Sequence, residues 1–399
     1  MTPRTIHDAR RLGVALLAPL AIACGRGTPD IRPEPAADPC LLPTGPAGAP
    51  RALVMAVTRP EDTAAVARRQ PEPPVRLDCT GAVRPAAAES WTSDATGHSW
   101  TLVLARRALD VDAGAAAAEW RTRAGAATAL RHAGIASVVP LDDRRLVVTL
   151  DRPHDSVPAV FADPSLALVT DSGPTVGTTF TLRLTPGDPR DALDAGADLL
   201  PTDDPELLEY ARARSDLVVH SLPWSRTYVL VIPQGQRGFE DLVPADTSGF
   251  RSGLARDAVR VEARSAEGPF WWTEAGPCPD AESTATPSAR GLRLTAQAWN
   301  DPVGRALAER LVALSGKPMQ VVGGLHPRAP VPAIRSESGL AFVVPVPHRA
   351  LVPCREVAAW PAGAMVVPLI DTRRSVIARR GLPPITVEFD GRLRAVETP

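Results

Sequence analysis

Lysine is almost missing from this 399-residue chain, since only Lys317 stands among 44 basic residues. Chemistry that needs a lysine, such as Schiff-base formation or the cradling of a nucleotide phosphate, depends on this one side chain. Its surroundings, Ser315 to Pro318, lack the upstream glycine of a Walker A loop. Arginine fills the other basic positions along the whole chain, which we ascribe to coding composition. The sequence thus disfavours both kinds of lysine chemistry.

A net charge of either sign is also lacking, because 44 basic residues face 45 acidic ones and the sum is −1. A nucleic-acid-binding surface needs an excess of basic side chains to neutralise phosphates. The composition therefore argues against a nucleic-acid partner for the chain as a whole, although it says nothing about a local basic patch.

Catalytic and metal-binding motifs are missing as well. None of the seven histidines belongs to an H-E-x-x-H sequence or has another histidine four residues away. The segment most like a G-x-S-x-G elbow is Gly249 to Gly253, where the serine comes one place late. The acidic pairs Asp142-Asp143 and Asp203-Asp204 suit turns and helix caps better than paired-carboxylate catalysis. We expect a protein that is not an enzyme and that uses no cofactor or metal.

Long hydrophobic runs are absent apart from Leu12 to Ile22. This run is shorter than the ~20 residues that cross a bilayer, and it has the length of the hydrophobic core of a signal peptide. Three arginines precede this run. Ala23-Cys24 follows it and resembles a bacterial lipobox, although Ala21 stands where leucine is usual. We predict that residues 1–24 are a lipoprotein signal peptide and that Cys24 is the lipidated residue. Plain secretion and a structured N-terminus are the alternatives.

Proline is in excess, with 43 residues, roughly twice the usual ~5%. Seven of these prolines fall in residues 25–50, which show no hydrophobic periodicity. Such a segment buries too little apolar surface to fold and stays extended. We interpret residues 25–50 as a proline-rich tether that holds the rest of the chain away from a membrane.

Beyond Cys24 the chain has an even number of cysteines, which suits disulfides in an oxidising compartment: Cys40, Cys79, Cys278 and Cys354. Four cysteines allow three pairings. Sequence proximity favours Cys40 with Cys79 and Cys278 with Cys354, and the alternative is that some of them are free buried thiols. No C-x-x-C spacing occurs, so a zinc or redox motif has no support.

Strand and helix patterns alternate through the body of the chain, which indicates an α/β fold. The strongest helix pattern begins at Asn300 and ends at Leu314, with Asn300 or Asp301 as the N-cap, Pro302 in the first turn and Gly316 after the end. The other helix patterns cover 113–132, 188–195, 204–213 and 248–264. Strand patterns cover 52–57, 100–104, 146–150, 217–219, 228–232, 292–296 and 319–322.

Several of these segments resemble, in order along the chain, the sequence motifs of one protein family. Pro85 to Trp91 (PAAAESW) resembles the family's P-x-L-A-E-S-W motif, and Ser99 to Leu104 resembles the W-T-F-x-L-R strand that follows it. Ala192 to Asp198 resembles the A-L-x-x-G-x-x-D segment. Further matches lie at 134–153, 250–258, 300–322 and 366–369. The family is that of the family 5 extracellular solute-binding proteins, the peptide- and nickel-type receptors of ABC importers.

This resemblance implies a two-lobed fold of the type II periplasmic-binding-protein class, with mixed sheets and a hinge. One lobe is expected to comprise residues 51–240 and 362–399, and the other residues 241–361, with two crossing segments between them. The resemblance also implies an exported monomer in the cell envelope. Such a protein captures a small ligand, most simply a peptide, in its cleft and delivers it to an ABC permease in the membrane.

Candidate ligand contacts come from loops at strand ends and from aromatic residues in polar surroundings. Tryptophan offers a large rigid surface with an N–H donor, and an arginine fork can hold a ligand carboxylate. Each candidate has an ordinary alternative, because tryptophan commonly packs in cores and arginine commonly lies on the surface. The candidates are Thr58, Arg59, Trp224, Arg226, Tyr228, Trp271 and Trp272.

The chain departs from the family's motifs in several places. Residues 107–120 keep the length of the expected segment but lose its sequence, and Pro233 stands where the family commonly has asparagine. The stretches 258–292 and 322–342 are short. A second hypothesis is therefore a degenerate binding-protein fold that serves as a scaffold or sensor lipoprotein without transport.

Overall fold

The computed structural model describes residues 38–46, 48–58, 72–105, 112–154, 158–168, 179–185, 187–234, 242, 247–274, 278, 293–296, 301–316, 320–322, 340–357, 360 and 363–396. Its contacts divide the chain into two units, Met1–Asp38 and Pro39–Pro399. The architecture that follows is that of the second unit. The predicted signal peptide and Cys24 lie outside the described residues.

Strands and helices alternate, as the sequence patterns predict. The strands are β1 (Ala52–Val57), β2 (Val75–Leu77), β3 (Val83–Pro85), β4 (Ala88–Ser93), β5 (Ser99–Leu104), β6 (Ile135–Pro140), β7 (Arg145–Leu150), β8 (Thr179–Leu184), β9 (Leu199–Thr202), β10 (Leu217–Ser221), β11 (Arg226–Ile232), β12 (Ala263–Ser265), β13 (Arg293–Ala296), β14 (Gln320–Val322), β15 (Leu340–Pro347), β16 (Met365–Thr372), β17 (Ser375–Arg379), β18 (Ile385–Val387) and β19 (Leu393–Ala395). The α-helices are α1 (Ala113–Thr122), α2 (Ala124–His132), α3 (Pro189–Asp194), α4 (Pro205–Arg212), α5 (Thr247–Asp257), α6 (Trp271–Glu274), α7 (Pro302–Ser315) and α8 (Pro353–Val357).

A five-stranded mixed sheet has the order β10-β17-β9-β1-β8. β1 pairs in parallel with β8 and β9, whereas β17 pairs antiparallel with β9 and β10. Helices α3 and α4 cover one face of this sheet, and the β18–β19 hairpin covers the other. Because both faces are buried, the inner strands β1, β9 and β17 are almost continuously apolar, whereas the edge strand β8 alternates.

The chain between β1 and β8 carries a separate antiparallel sheet with the order β4-β5-β7-β6. We call residues 72–168 the inserted domain. Helices α1 and α2 pack on its sheet, and the fully buried rings of Trp120 and Phe161 lie in the core between them. Its two inner strands, β5 and β7, alternate in burial, as expected for a sheet covered on one face.

The helix predicted over 113–132 is in fact two helices, because the backbone of Arg123 is extended between them. The Arg123 guanidinium donates to the carbonyl oxygens of Ser165 and Ala167 at 3.1 and 3.0 Å. These are tertiary contacts that a run of alanines does not reveal. The helix predicted over 248–264 is likewise shorter, since α5 ends at Asp257 and β12 follows it.

A six-stranded sheet has the order β12-β16-β11-β15-β13-β14. Helices α5 and α7 pack on one face, and an aromatic segment around α6 packs on the other. β11 and β16 belong to this sheet although they fall within 51–240 and 362–399, the segments that the sequence assigns to the other lobe. Apolar alternation identifies a strand but not its pairing partner, and the lobe boundaries at residues 240 and 362 stay a prediction.

Helix α7 confirms the predicted helix signals. The Asp301 carboxylate accepts from the N–H groups of Val303 and Gly304 at 3.2 and 3.1 Å, and Gly316 ends the helix at a positive φ of 62°. Leu307 and Leu311 are buried on the sheet, whereas Leu314 in the last turn is 49% exposed. Among the described residues, no helix is both long enough and apolar enough to span a bilayer.

Part of the predicted tether is folded. Leu42 is buried, its N–H donates to the carbonyl of Ile385 at 2.8 Å, and Cys40 is bonded to Cys79. The disulfide and the apolar side chain supply the burial that the proline-rich composition by itself does not predict. The second disulfide joins Cys278 to Cys354 in α8. The residues from Cys40 to Thr44 therefore belong to the folded part of the chain.

The packing of α7 predicts a large stability difference between two leucines of the same helix. Leu307→Ala removes a side chain with no exposed surface and should lower the free energy of unfolding by about 2–5 kcal/mol. Leu314→Ala is the matched control and should change it by no more than about 0.5 kcal/mol. Denaturant unfolding measures both values. Equal losses would contradict the packing described for this helix.

Candidate functional site

Within the described residues, two short segments join the five-stranded sheet to the six-stranded sheet. Residues 222–225 connect β10 to β11, and Arg373-Arg374 connects β16 to β17. The segments lie side by side, because the Leu222 N–H donates to the carbonyl of Arg374 at 2.9 Å. A rotation of one sheet against the other has to be absorbed by these few residues. We call them the crossing segments.

Trp224, in the first crossing segment, packs against two guanidinium groups. The Cζ atoms of Arg264 and Arg373 lie 4.6 and 4.5 Å from the centroid of its indole. Such cation–π contacts stabilise by about 0.5–1 kcal/mol each at exposed sites and by more when desolvated. Arg264 belongs to β12 and Arg373 to the second crossing segment. The indole therefore links both crossing segments to the edge of the six-stranded sheet.

Glu262 binds the same arginine from another direction. Its carboxylate pairs with the Arg373 guanidinium and accepts from Ser221 Oγ at 3.0 Å. Burial raises the pKa of the Glu262 carboxyl, but the hydrogen bonds from Arg373 and Ser221 outweigh burial and hold the pKa below its usual value. Glu262 is consequently a carboxylate at neutral pH, and it compensates one of the positive charges at the crossing segments.

The carboxylate of Asp371 lies at the end of β16 and has no exposed surface. It accepts from Thr227 Oγ1 at 2.7 Å and from Arg264 Nε at 3.1 Å, and His348 Nδ1 lies 3.2 Å from it. A buried charge is tolerated when it is paired and hydrogen-bonded. This carboxylate thus ties β11, β12 and the end of β15 together where the chain leaves the sheet.

A small pocket opens beside these contacts, with a volume of about 20 Å³, room for one water-sized group. Its polar lining comes from both crossing segments, from β11 and β16, and from the residue after β9: Asp203, Ser225, Arg226, Tyr228, Thr372, Arg373 and Arg374. Three arginines lie against Asp203 and against Glu262, which pairs with Arg373, so one positive charge is left in excess and suits a small anionic group such as a carboxylate. In the part of the chain that the structure describes, no three His, Cys, Asp or Glu side chains are placed to hold a metal ion.

Tyr228 connects this pocket to helix α7. Its ring is buried, and its hydroxyl donates to the Asp301 carboxylate at 3.0 Å. Burial raises the pKa of the Tyr228 phenol, and the negative charge of Asp301 raises it further. The phenol is therefore a hydrogen-bond donor at neutral pH. Because Asp301 also caps α7, Tyr228 holds the start of that helix at the pocket.

The structure brings three of the seven predicted ligand residues together. Arg226 and Tyr228 line the pocket, and Trp224 contacts it through Arg373. Thr58 directly follows β1 in the five-stranded sheet and is half-buried, and Arg59 lies outside the described residues. The three predicted residues that cluster thus lie in the first crossing segment, as Trp224 does, or at the start of β11 beside it, as Arg226 and Tyr228 do.

Trp271 and Trp272 lie on the other face of the six-stranded sheet from α5 and α7. They contact each other, with ring centroids 5.1 Å apart, and both contact Trp360. The Trp271 N–H donates to the carbonyl of Pro347 at 2.8 Å. This is the packing that the ordinary alternative describes, and a ligand contact by either indole stays a prediction.

Sequence reasoning misses Asp203 and the pair Arg373-Arg374. The sequence pattern assigns Asp203 and Asp204 to a turn or a helix cap, and Asp204 does cap α4, but its neighbour lines the pocket. The run Asp371 to Arg374 ends an apolar strand with four polar residues. That change from apolar to polar is a signal for a chain that leaves a buried sheet beside solvent.

Comparison with protein-family models gives no match, and comparison with curated proteins gives none either. Solved structures do match. The murein tripeptide binding protein MppA of Escherichia coli aligns with a TM-score of 0.57 and 11% identity, covering 89% of this chain and 100% of its own. OppA of Haemophilus influenzae, in complex with the peptide RPPGFSPFR, aligns with a TM-score of 0.56 and 12% identity, over 87% of this chain and 99% of its own.

NikZ of Campylobacter jejuni, in complex with Ni(L-His), aligns with a TM-score of 0.55 and 11% identity, over 85% of this chain and 97% of its own. At such low identity the likeness shows the fold. The chain has the two-lobed α/β fold of periplasmic binding proteins, which confirms the fold that the sequence resemblance implies. The proteins with which it shares that fold are binding proteins rather than enzymes.

The contacts of Glu262 predict an acid-sensitive cluster. Its folded-state pKa lies below the unfolded value of 4.5, so its stabilisation is complete above that pH and is lost as the pH falls through the folded pKa. We expect the stability of the wild type to fall more steeply between about pH 5 and pH 3 than that of Glu262→Gln. Glu309→Gln, which changes an exposed partner of Arg305 on α7, is the control. Denaturant midpoints across this range give the slopes, and identical slopes for wild type and Glu262→Gln would contradict the role of this carboxylate.

Proposed function

We propose that this protein is a solute-binding protein that captures a small, peptide-like ligand between its two lobes and holds the ligand's carboxylate at the crossing segments. The observation that carries the proposal is the pocket in which Arg226, Arg373 and Arg374 converge, in a fold that other proteins use for binding. Bidentate guanidinium–carboxylate contacts are strong and geometrically specific. Solved proteins of this fold contain a peptide or Ni(L-His).

The pocket also suggests how ligand and lobe movement are coupled. In this arrangement the pocket has room for one water-sized group, so a ligand carboxylate enters it, and the rest of the ligand occupies the cleft, when the lobes separate. Arg373 lines the pocket, pairs with Glu262 and stacks on Trp224. A ligand carboxylate at Arg373 therefore acts on the crossing segments directly. We place the boundary between the lobes at residues 222–225 and 373–374.

Loss of one guanidinium from the pocket should weaken peptide binding. Tripeptides with a free C-terminal carboxylate should raise the unfolding temperature of the wild type, since a ligand at a hundredfold its Kd adds about 2.7 kcal/mol. Arg226→Gln should weaken that binding by about tenfold or more, because a hydrogen bond to a charged group contributes about 1.5–3 kcal/mol. Thermal shift screening and titration calorimetry measure both effects.

The matched control is Arg256→Gln, which removes an exposed arginine that pairs with Asp257 on α5. It should leave peptide binding unchanged. Amidation of the peptide's C-terminus should abolish the difference between wild type and Arg226→Gln. The proposal fails if amidated peptides bind as tightly as free acids, or if Arg226→Gln binds them like the wild type.

We also propose that the protein is exported, anchored to a membrane by lipid on Cys24, and delivers its ligand to an ABC permease. The signal-like residues 1–24, the proline-rich segment after them and the even number of remaining cysteines support this location. The two disulfides of the structure suit an oxidising compartment. The proline-rich residues before Cys40 give the folded part a short spacer from the membrane.

Lipidation of Cys24 has a direct test. The wild type, expressed in a bacterium with lipoprotein processing, should fractionate with membranes, and its N-terminal peptide should begin at Cys24 with the mass of attached acyl chains. Cys24→Ser should move the protein to the soluble fraction, because no acyl chain then holds it. A wild type that is soluble with another N-terminus would point to plain secretion.

A second candidate function is that of a scaffold or sensor lipoprotein that keeps the binding fold without transport. The small volume of the pocket favours it, since a cavity of about 20 Å³ accepts no whole peptide in this arrangement of the lobes. This candidate predicts that neither free nor amidated peptides stabilise the protein in the thermal-shift screen. It also predicts that no permease or ATPase gene lies beside the gene for this chain.

A further inference from the structure

The connection between β15 and β16 reaches across to the inserted domain. Both flanking strands lie in the six-stranded sheet, where they pair with β11 on either side. The connection begins at His348, whose N–H donates to the carbonyl of Ser225 in the first crossing segment at 2.9 Å. It then carries α8, which Cys354 joins to Cys278. This part of the chain is thus fixed at one end to the crossing segments.

The residues after His348 dock into the core of the inserted domain. Val352 has no exposed surface and belongs to the apolar cluster formed by β4 to β7, α1 and α2, and Leu351 packs against the same cluster. α8 packs against α2. A valine from the six-stranded lobe therefore fills a position in the core of a domain that belongs to the other lobe.

Two polar contacts flank this valine. Arg355 Nη1 lies 2.8 Å from the Asp163 carboxylate, which is 1% exposed. Arg349 Nη1 donates to the carbonyl of Gly81 at 2.9 Å. Because Asp163 is buried, separation of Arg355 from it leaves a charge without its counter-ion unless water enters. These contacts make the docking specific as well as apolar.

The inserted domain itself is fixed to the five-stranded sheet rather than to the six-stranded one. It leaves that sheet after β1 and returns at β8, two strands that pair in parallel. The Arg394 guanidinium of β19 donates to the Glu72 carboxylate at 2.6 Å, and Asp78 forms a backbone bridge with Glu388 beside β18. The β18–β19 hairpin in turn packs on the five-stranded sheet. Movement between the two large sheets therefore has to separate Val352 from its core.

We propose that residues 349–355 form a latch, a non-covalent connection between the lobes that must release before they rotate about the crossing segments. Its apolar element is Val352, and its polar elements are Arg355 and Arg349. The latch concerns the movement of the lobes and does not depend on which ligand the pocket holds. While the latch is in place, the two lobes cannot rotate about the crossing segments, whatever ligand the pocket holds.

The latch predicts that its removal opens the ligand-free protein. The double variant Val352→Ala with Arg355→Gln should show a larger radius of gyration by small-angle X-ray scattering than the wild type. Amides of residues 124–132 and 349–357 should exchange hydrogen about tenfold faster or more, because the variant loses the buried contact of Val352 and the ion pair of Arg355 with the buried Asp163 carboxylate. Both measurements use the full folded chain without ligand, so they are separate from any failure to bind peptides.

The control is Val346→Ala with Arg256→Gln, which makes the same two chemical changes within the six-stranded lobe. Val346 is buried in the apolar core on the face of the six-stranded sheet that carries Trp271, and Arg256 pairs with Asp257 on the surface of α5. The control should lose stability without expansion. If the latch variant keeps the wild-type radius and exchange and only unfolds at a lower temperature, residues 349–355 are ordinary packing and the proposal is overturned. Should the double variant not fold, Arg355→Gln by itself is judged by the same two measurements.

Discussion

The carboxylate of Asp371 has no exposed surface and lies at the point where the chain leaves the six-stranded sheet after β16. Removing one partner of such a buried pair commonly costs about 3–5 kcal/mol, because the remaining charge stays in a medium that solvates it poorly. Thr227 and Arg264 therefore have to remain at hydrogen-bond distance from it. Arg264, held in this way, packs on Trp224, and Trp224 packs on Arg373. One buried charge thus orders the side chains around both crossing segments.

The pocket is a consequence of that order. Arg373 is positioned by Trp224 and Glu262, and Tyr228 is positioned by the cap of α7, so the cationic lining rests on contacts made outside the pocket. A preorganised guanidinium loses less conformational freedom on binding than a mobile one. Away from the crossing segments, the docking of Val352 supplies a second restraint on the same movement. The lobes are therefore joined covalently at the crossing segments and by apolar packing beside them.

Local signals in the sequence predicted local structure well. The cap, proline and glycine around α7 act within a few residues of one another, and the structure reproduces them. The ordered motifs also predicted the fold class. Features that depend on contacts between distant residues could not be predicted from the sequence. They are the membership of β11 and β16 in the six-stranded sheet, the break between α1 and α2 at Arg123, and the folded residues after Cys40. For the same reason Trp224, Arg226 and Tyr228 could be named from local composition, whereas Asp203 and Arg373, distant in sequence, could not.

The central claim is that an anionic end of a ligand binds between the crossing segments. The most direct measurement is a crystal structure of the protein grown with a saturating tripeptide that has a free C-terminus. The account predicts a peptide carboxylate within hydrogen-bond distance of the Arg226 and Arg373 guanidinium groups, with the chain of the peptide in the cleft between the lobes. A peptide bound elsewhere, or a pocket that holds only water although the peptide is saturating, would contradict it.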